Sequence, residues 1–237
     1  MAAKFGEALT GWVPPAPPAD CPMDGHYVRL ERLSAVRHAA DLFAANRADD
    51  RIWDYMPYGP FAAEGDYRDW VASVEAGADP LFFALIDRAT GKAAGVASYL
   101  RITPASGSVE IGHINLAPAL QRGRAATETM YLMMARAFAG GYRRFEWKCD
   151  ALNLPSRRAA LRLGFSYEGI FRQATVYKGR NRDTAWFAVI DKEWPALKAA
   201  FERWLDPTNF DGNGRQRQSL SDLTRPLIYM ADPGLTG

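Results

Sequence analysis

Residues 116–128 read Leu116-Ala117-Pro118-Ala119-Leu120-Gln121-Arg122-Gly123-Arg124-Ala125-Ala126-Thr127-Glu128, and the fold turns on them. Just upstream, Val109-Glu110-Ile111-Gly112-His113-Ile114-Asn115-Leu116 alternates apolar and polar residues at the strand period, and beyond Gly123 the apolar spacing becomes helical. A strand therefore passes into a helix through a short, basic turn of small residues. A helix starting near Arg122 directs unpaired N–H groups and the positive end of its dipole out of that turn. Gly123, Ala125 and Ala126 leave the backbone open to a bulky anion, and Arg122 and Arg124 add positive charge, so the segment has the build of a phosphate cradle. An ordinary turn with solvated arginines has the same residues, so the segments around it must decide.

Downstream, residues 143–151 form a second strand. Residues 153–165 read as a helix capped by Asn153 and closed by Gly164. Two further strand-like runs, 167–172 and 183–191, flank a turn at 178–181, and Trp194 to Leu205 is an amphipathic helix. Upstream, residues 27–33 are a strand and Ser34 is placed to cap a helix running to about Arg47. Residues 52–60 make an aromatic loop, followed by a helix to about Ala76. Residues 81–87 and 93–101 form a hairpin around Gly91, and a second hairpin through 104–108 leads back to the strand bearing Glu110. Trp53, Tyr55 and Tyr58 of the loop, with Met56, suit packing between the two helices.

Residues 1–24 contain Pro14, Pro15, Pro17, Pro18 and Pro22 and read as an extended arm with Trp12 as its anchor; residues 25–205 hold the domain; residues 206–237 are a polar tail. The tail suits either disorder or a wrap around a second copy through Leu220, Leu223, Leu227, Ile228 and Tyr229, which makes a homodimer an expectation to test. At 237 residues and 48% hydrophobic the chain can bury one core. A net charge of +2 gives no general field for polyanions, so nucleic acid is not expected as a partner. Cys21 and Cys149 lack metal spacing and read as free thiols of a reducing compartment, and His26, His38 and His113 are scattered, so no metal is expected. No apolar run spans a bilayer and no leader pattern opens the chain, so a cytoplasmic enzyme with no membrane partner is expected.

With the cradle at 122–126, Asn153-Leu154-Pro155-Ser156, Gly164-Phe165, Glu168-Gly169 and Arg182-Asp183 in this order, the chain resembles the GNAT superfamily of acyl-CoA-dependent N-acetyltransferases. The likeness, in the ribosomal-protein-alanine-acetyltransferase-like branch, covers about residues 25–195. It departs from the family's Gln/Arg-x-x-Gly-x-Gly/Ala pattern at the first slot, where Leu120 stands and Gln121 comes one place late. The resemblance implies an α+β (mixed α/β) fold, with a central mixed, mostly antiparallel sheet of about seven strands flanked by helices and splayed at the cofactor site.

The resemblance also implies the chemistry: acetyl-CoA as cosubstrate and direct attack on its thioester by a primary amine in a ternary complex, the amine being a protein N-terminus or a small molecule. The pantetheine would lie between the strands ending near Leu116 and Asp150, with the N–H of Leu116 or Ala117 on the thioester oxygen. Gln121, Arg122, Gly123, Arg124, Ala125 and Ala126 would hold the pyrophosphate, Asn153 the pantetheine, and Arg157 a cofactor phosphate. For the base, Glu110 and His113 both qualify; three apart on a regular strand, they fall on opposite faces, Glu110 with Ile114 and Leu116, and His113 with Asn115. For the leaving thiolate, Ser156 and Tyr177 compete. The branch often has a glutamate where Thr175 stands, so a sensor or assembly module that binds acyl-CoA without catalysis is the alternative.

Overall fold

The computed structural model describes residues 5–235; residues 1–4 of the arm and 236–237 of the tail lie outside it. One eight-stranded sheet runs through the molecule. Its strands are β1 (Met23–Asp24), β2 (Val28–Arg32), β3 (Leu81–Asp87), β4 (Ala93–Thr103), β5 (Ser108–Leu116), β6 (Arg144–Asp150), β7 (Ser166–Tyr177) and β8 (Arg180–Ile190), in the spatial order β1-β2-β3-β4-β5-β6-β8-β7. Every neighbouring pair is antiparallel except β5 and β6. The count exceeds seven because Met23 and Asp24, just past the last proline of the arm, regain N–H donors and pair with Leu30 and Arg29.

Helices cover both faces. Against one lie α1 (Ala35–Asn46) and α2 (Glu64–Val74), around Trp53, Tyr67, Phe82 and Val96. Against the other lie α3 (Arg124–Ala139), α4 (Leu154–Arg162) and α5 (Trp194–Leu205), around Phe83, Tyr99, Ile111, Met133 and Phe145. Each such buried side chain contributes about 1.5–3 kcal/mol over leaving it exposed. Tyr99 is fully buried and still donates its hydroxyl to the Met133 carbonyl at 2.7 Å, which ties β4 to α3.

Two caps differ in kind. Asn153 caps α4 as its sequence suggests, its side-chain oxygen accepting from the Ser156 N–H at 3.1 Å. Ser34 occupies the N-cap of α1 but makes no side-chain cap bond; the Glu75 carboxylate accepts from the Ala35 N–H instead. The tail folds onto its own chain. A short helix, α6 (Leu220–Thr224), buries Leu220 in the main core, Leu223 and Leu227 pack beside it, and Met230 accepts from the Tyr167 N–H at 2.9 Å. Tyr229 alone of the five apolar handles stays largely exposed, at 84%. The arm is held by Arg136, which donates to the carbonyls of Ala19, Cys21 and Pro22, and by Trp12, whose ring lies 5.6 Å from the Arg143 guanidinium carbon.

Candidate active site

The parallel strands β5 and β6 pair only from Ser108 and Arg144 to Ile111 and Trp147. Past that point β5 stays with β4, up to Leu116 opposite Gly95, and β6 stays with β8, up to Asp150 opposite Thr184. The strands diverge into a V whose inner edges carry backbone groups without a strand partner. Among the two amides expected at the thioester, the structure separates them: the Ala117 N–H donates to the Ala94 carbonyl at 2.9 Å and is spent within the sheet. Amides alternate sides along a strand, so the Leu116 N–H points away from β4, into the V. The Ala117 amide is thereby unavailable to a ligand, and of the two only the Leu116 amide faces the V.

The turn beyond the V is built as a cradle. Leu120 is core, 3% exposed, which explains why an apolar residue stands in the slot where the family has a polar one. Gln121 turns back and donates from its side chain to the Leu116 carbonyl at 2.9 Å, fixing the end of β5. Arg122 takes a left-handed backbone, φ 59°, and Gly123 caps α3 from an extended conformation. A Cβ on Gly123 would lie 3.3 Å from the Leu120 carbonyl, so a side chain there would make the turn give by a few tenths of an ångström. The amides of the first turn of α3, at Arg124, Ala125 and Ala126, precede the first intrahelical donor, Thr127, and face the turn. The Arg124 guanidinium is stacked between the rings of Tyr27 and Phe210, its carbon 4.7 Å from each centroid, so this residue offers the cradle its backbone.

On the α1/α2 face the expected opposition of Glu110 and His113 is overturned. Between Val96 opposite Asn115 and Ser98 opposite Gly112, two steps along β4 match three along β5: a bulge, with His113 at φ 48°. The extra residue reverses the alternation. Ile114 and Leu116 pack with Val109 and Ile111 on the α3 side, while Glu110, His113 and Asn115 share the α1/α2 side. A second bulge at Arg101, φ 46°, held by Asp79 accepting from the Arg101 and Ile102 amides, swings the Arg101 guanidinium to Glu110.

Glu110 is 3% exposed and meets Arg101 Nη1 at 2.8 Å and Lys148 Nζ at 2.9 Å. Burial raises its pKa, against the pull of Lys148 and Arg101. Lys148 also reaches Glu146 at 2.7 Å and lies 3.8 Å from the Trp186 ring centroid. His113 stacks on Tyr58, whose hydroxyl is 3.2 Å from Nδ1, and burial lowers its pKa to about 4, so the ring is neutral at pH 7. Of the loop's large side chains, Trp53 and Met56 are core, whereas Tyr55 donates to the Leu152 carbonyl. With Lys178 donating to the Trp53 carbonyl at 2.9 Å, these bonds draw the β7–β8 turn and the loop after β6 up to the aromatic loop, beside the V.

The thiolate candidates sit on opposite faces of β6. Ser156 accepts at 3.1 Å from the indole N–H of Trp147, on the α3 side. Tyr177 donates at 2.9 Å to Asp150, on the Lys148 side, and its pKa is pushed up to about 12 by burial and by that carboxylate. The Asn153 side-chain oxygen is committed to its cap. Arg157, expected at a phosphate, is turned inward: its guanidinium pairs with Asp232 of the tail at 2.7 and 2.6 Å and donates to Ala151 at 2.8 Å, so that each of its three nitrogens already has a partner within the chain. This inward turn is set by the tail, whose Asp232 lies 75 positions away.

A family model described as an acetyltransferase (GNAT) domain matches residues 28–166. The crystal structure of a GCN5-related N-acetyltransferase from Brucella melitensis is similar at 47% identity and a TM-score of 0.90, over 92% of this chain and 100% of that one. The chain belongs to the GNAT acetyltransferase family. A probable GNAT-family acetyltransferase from Chromobacterium violaceum is 41% identical, TM-score 0.77, over 83% of this chain and 99% of that one. The microcin C7 self-immunity acetyltransferase MccE, solved with acetyl-CoA and AMP, shares the fold at 21% identity and a TM-score of 0.62, over 70% of this chain and 93% of that one. Among curated proteins none matches.

Three residues of this GNAT protein's site escaped the sequence reading: Arg101, Lys148 and Asp150. The last two were signalled, because Arg144, Glu146, Lys148 and Asp150 recur at the strand period and mark a polar face on β6. Arg101 was not, since only its bulge brings it to Glu110. Among the described residues no group of three His, Cys, Asp or Glu is placed to hold a metal, and no helix is long and apolar enough to cross a membrane.

Proposed function

We propose that the protein transfers the acetyl group of acetyl-CoA to a primary amine, either a protein N-terminus or a small molecule, by direct attack in a ternary complex. The observation that carries this reading is the V between β5 and β6, with the Leu116 N–H on its inner edge and the open first turn of α3 at its end. An extended chain of amide groups fits the V, and a pyrophosphate fits the turn. Acetyl-CoA supplies the activated thioester; the chain supplies binding, polarisation and proton movement. The Leu116 N–H polarises the carbonyl oxygen, a contribution of roughly 3 kcal/mol for one donor of this type.

A primary amine, with a pKa of ~10, must lose a proton before it attacks. Glu110 takes that proton through water: its raised pKa strengthens it as a base, and Lys148 and Arg101 keep it ionised at rest. His113, neutral beside Tyr58, orients the amine. Ser156 protonates the thiolate, its oxygen being held by the indole N–H of Trp147, whereas the hydroxyl proton of Tyr177 is committed to the Asp150 carboxylate.

The test is titration calorimetry with acetyl-CoA, then thiol release over a panel of amines and short peptides, with Glu110→Gln beside the wild type. Expected are binding, acceptor-dependent release, and a variant that binds acetyl-CoA normally but turns over at least ~100-fold more slowly. Binding without release from any acceptor would favour the sensor. An unaltered rate and pH profile in Glu110→Gln would move the base to His113.

A further inference from the structure

Between α4 and the folded tail lies a cleft of about 450 Å³. Arg158, Arg162 and Arg225 line it together with Ser221, and Leu161 and Ile228 give it an apolar wall. Three arginines thus share one cleft, no lining residue is acidic, and among the described residues no ion pair to a carboxylate is drawn from any of the three. Like charges gathered in this way repel unless an anion joins them. Arginines with an apolar wall suit a ligand having a phosphate at one end and a flat ring beside it.

The cleft is joined to the cofactor turn. Arg162 donates from Nη1 to the hydroxyl of Thr127, in the first turns of α3, at 3.1 Å. Its guanidinium carbon lies 5.0 Å from the Trp204 ring centroid, and the α6 residue Thr224 donates to its backbone carbonyl at 3.0 Å. The tail half of the cleft is latched shut by the Arg157–Asp232 pair, with Asp232 wholly buried. All of this tail lies beyond residue 166, where the family's domain match ends.

We infer that the C-terminal tail completes the cofactor site: Arg225, with Arg158 and Arg162, grips the phosphomonoester on the ribose of the cofactor's nucleotide end, and the Leu161–Ile228 wall receives the base. The inference rests on the acetyl-CoA reading above and adds a specificity to it. The protein discriminates the cofactor from its analogue lacking the 3′-phosphate, and Arg225 is the residue that reads the difference. Arg225 is exposed on a short turn after α6, so its replacement does not threaten the core.

The experiment is calorimetry of the full chain and of Arg225→Gln with coenzyme A, 3′-dephospho-coenzyme A and adenosine 3′,5′-bisphosphate. Expected for the wild type is at least tenfold tighter binding of coenzyme A than of the dephospho form, with the bisphosphate competing. Arg225→Gln is expected to lose at least tenfold on coenzyme A and nothing on the dephospho form. Equal affinity of the wild type for the two, an equal loss by the variant on both, or a bisphosphate that binds without displacing coenzyme A would each overturn the inference while leaving acetyl-CoA as the substrate. No binding of either coenzyme form by the wild type would instead remove the reading on which the inference rests.

Discussion

Replacing Asp232 by alanine isolates what the tail does for the domain. Arg157 and Asp232 have side-chain exposures of 8% and 0% and meet through two bonds of 2.7 and 2.6 Å. Deleting the carboxylate leaves a buried guanidinium whose remaining acceptor is the Ala151 carbonyl at 2.8 Å. Breaking a buried pair from one side costs about 3–5 kcal/mol, because the surviving charge stays desolvated and uncompensated. For a chain of this length each kcal/mol moves Tm by roughly 2–4 °C, so a loss of about 6–20 °C is expected. The same loss should persist in high salt, since both groups are shielded from ions. Arg157→Met with Asp232→Leu removes both charges and should recover most of the loss. Thermal melting by circular dichroism, with amide exchange followed across residues 219–235, measures these effects. Melting of Asp232→Ala within about 2 °C of the wild type, with exchange in the tail unchanged, would refute the latch.

Two further outcomes are expected. Gly123→Glu puts a Cβ 3.3 Å from the Leu120 carbonyl and a negative charge at the start of α3, and should weaken acetyl-CoA binding at least ~10-fold by calorimetry; unchanged affinity would place the pyrophosphate elsewhere. His113 has a folded pKa of about 4 against ~6.5 when unfolded, so as pH falls through that window the unfolded chain takes up a proton that the folded chain refuses. Stability should drop by up to roughly 3 kcal/mol over the window, and urea midpoints of His113→Gln should show a shallower slope there than those of the wild type.

The cradle was legible because its signals are local. A change of period at Gly123, small residues and an adjacent charge all lie within a dozen positions, and the Asn153 cap and the Gly164 stop are likewise read in place. The divergence of β5 from β6 was legible only through the family resemblance, and the structure shows it as a pairing that stops at Ile111 and Trp147. What the sequence hid is long-range or against propensity. Nothing near Arg157 points to a partner 75 residues on. A histidine and an arginine at positive φ, inside runs that alternate like ordinary strands, gave no warning of two bulges, since such conformations are held by their surroundings rather than chosen by the residue. The sheet's first strand was concealed by the proline-rich arm that precedes it.

The bulge at His113 acts as a phase shifter in the strand. On its N-terminal side the odd positions Val109 and Ile111 belong to the core, and on its C-terminal side the even positions Ile114 and Leu116 do. Straightening the strand with every residue kept would restore the uninterrupted alternation and drive Asn115, a buried amide with no hydrogen-bond partner among the described residues, into the α3 core. It would also turn the Leu116 amide from the V back toward β4. The strand thus carries one residue more than its pairing with β4 needs, and losing His113 itself would leave both halves in phase while removing the ring that stacks on Tyr58.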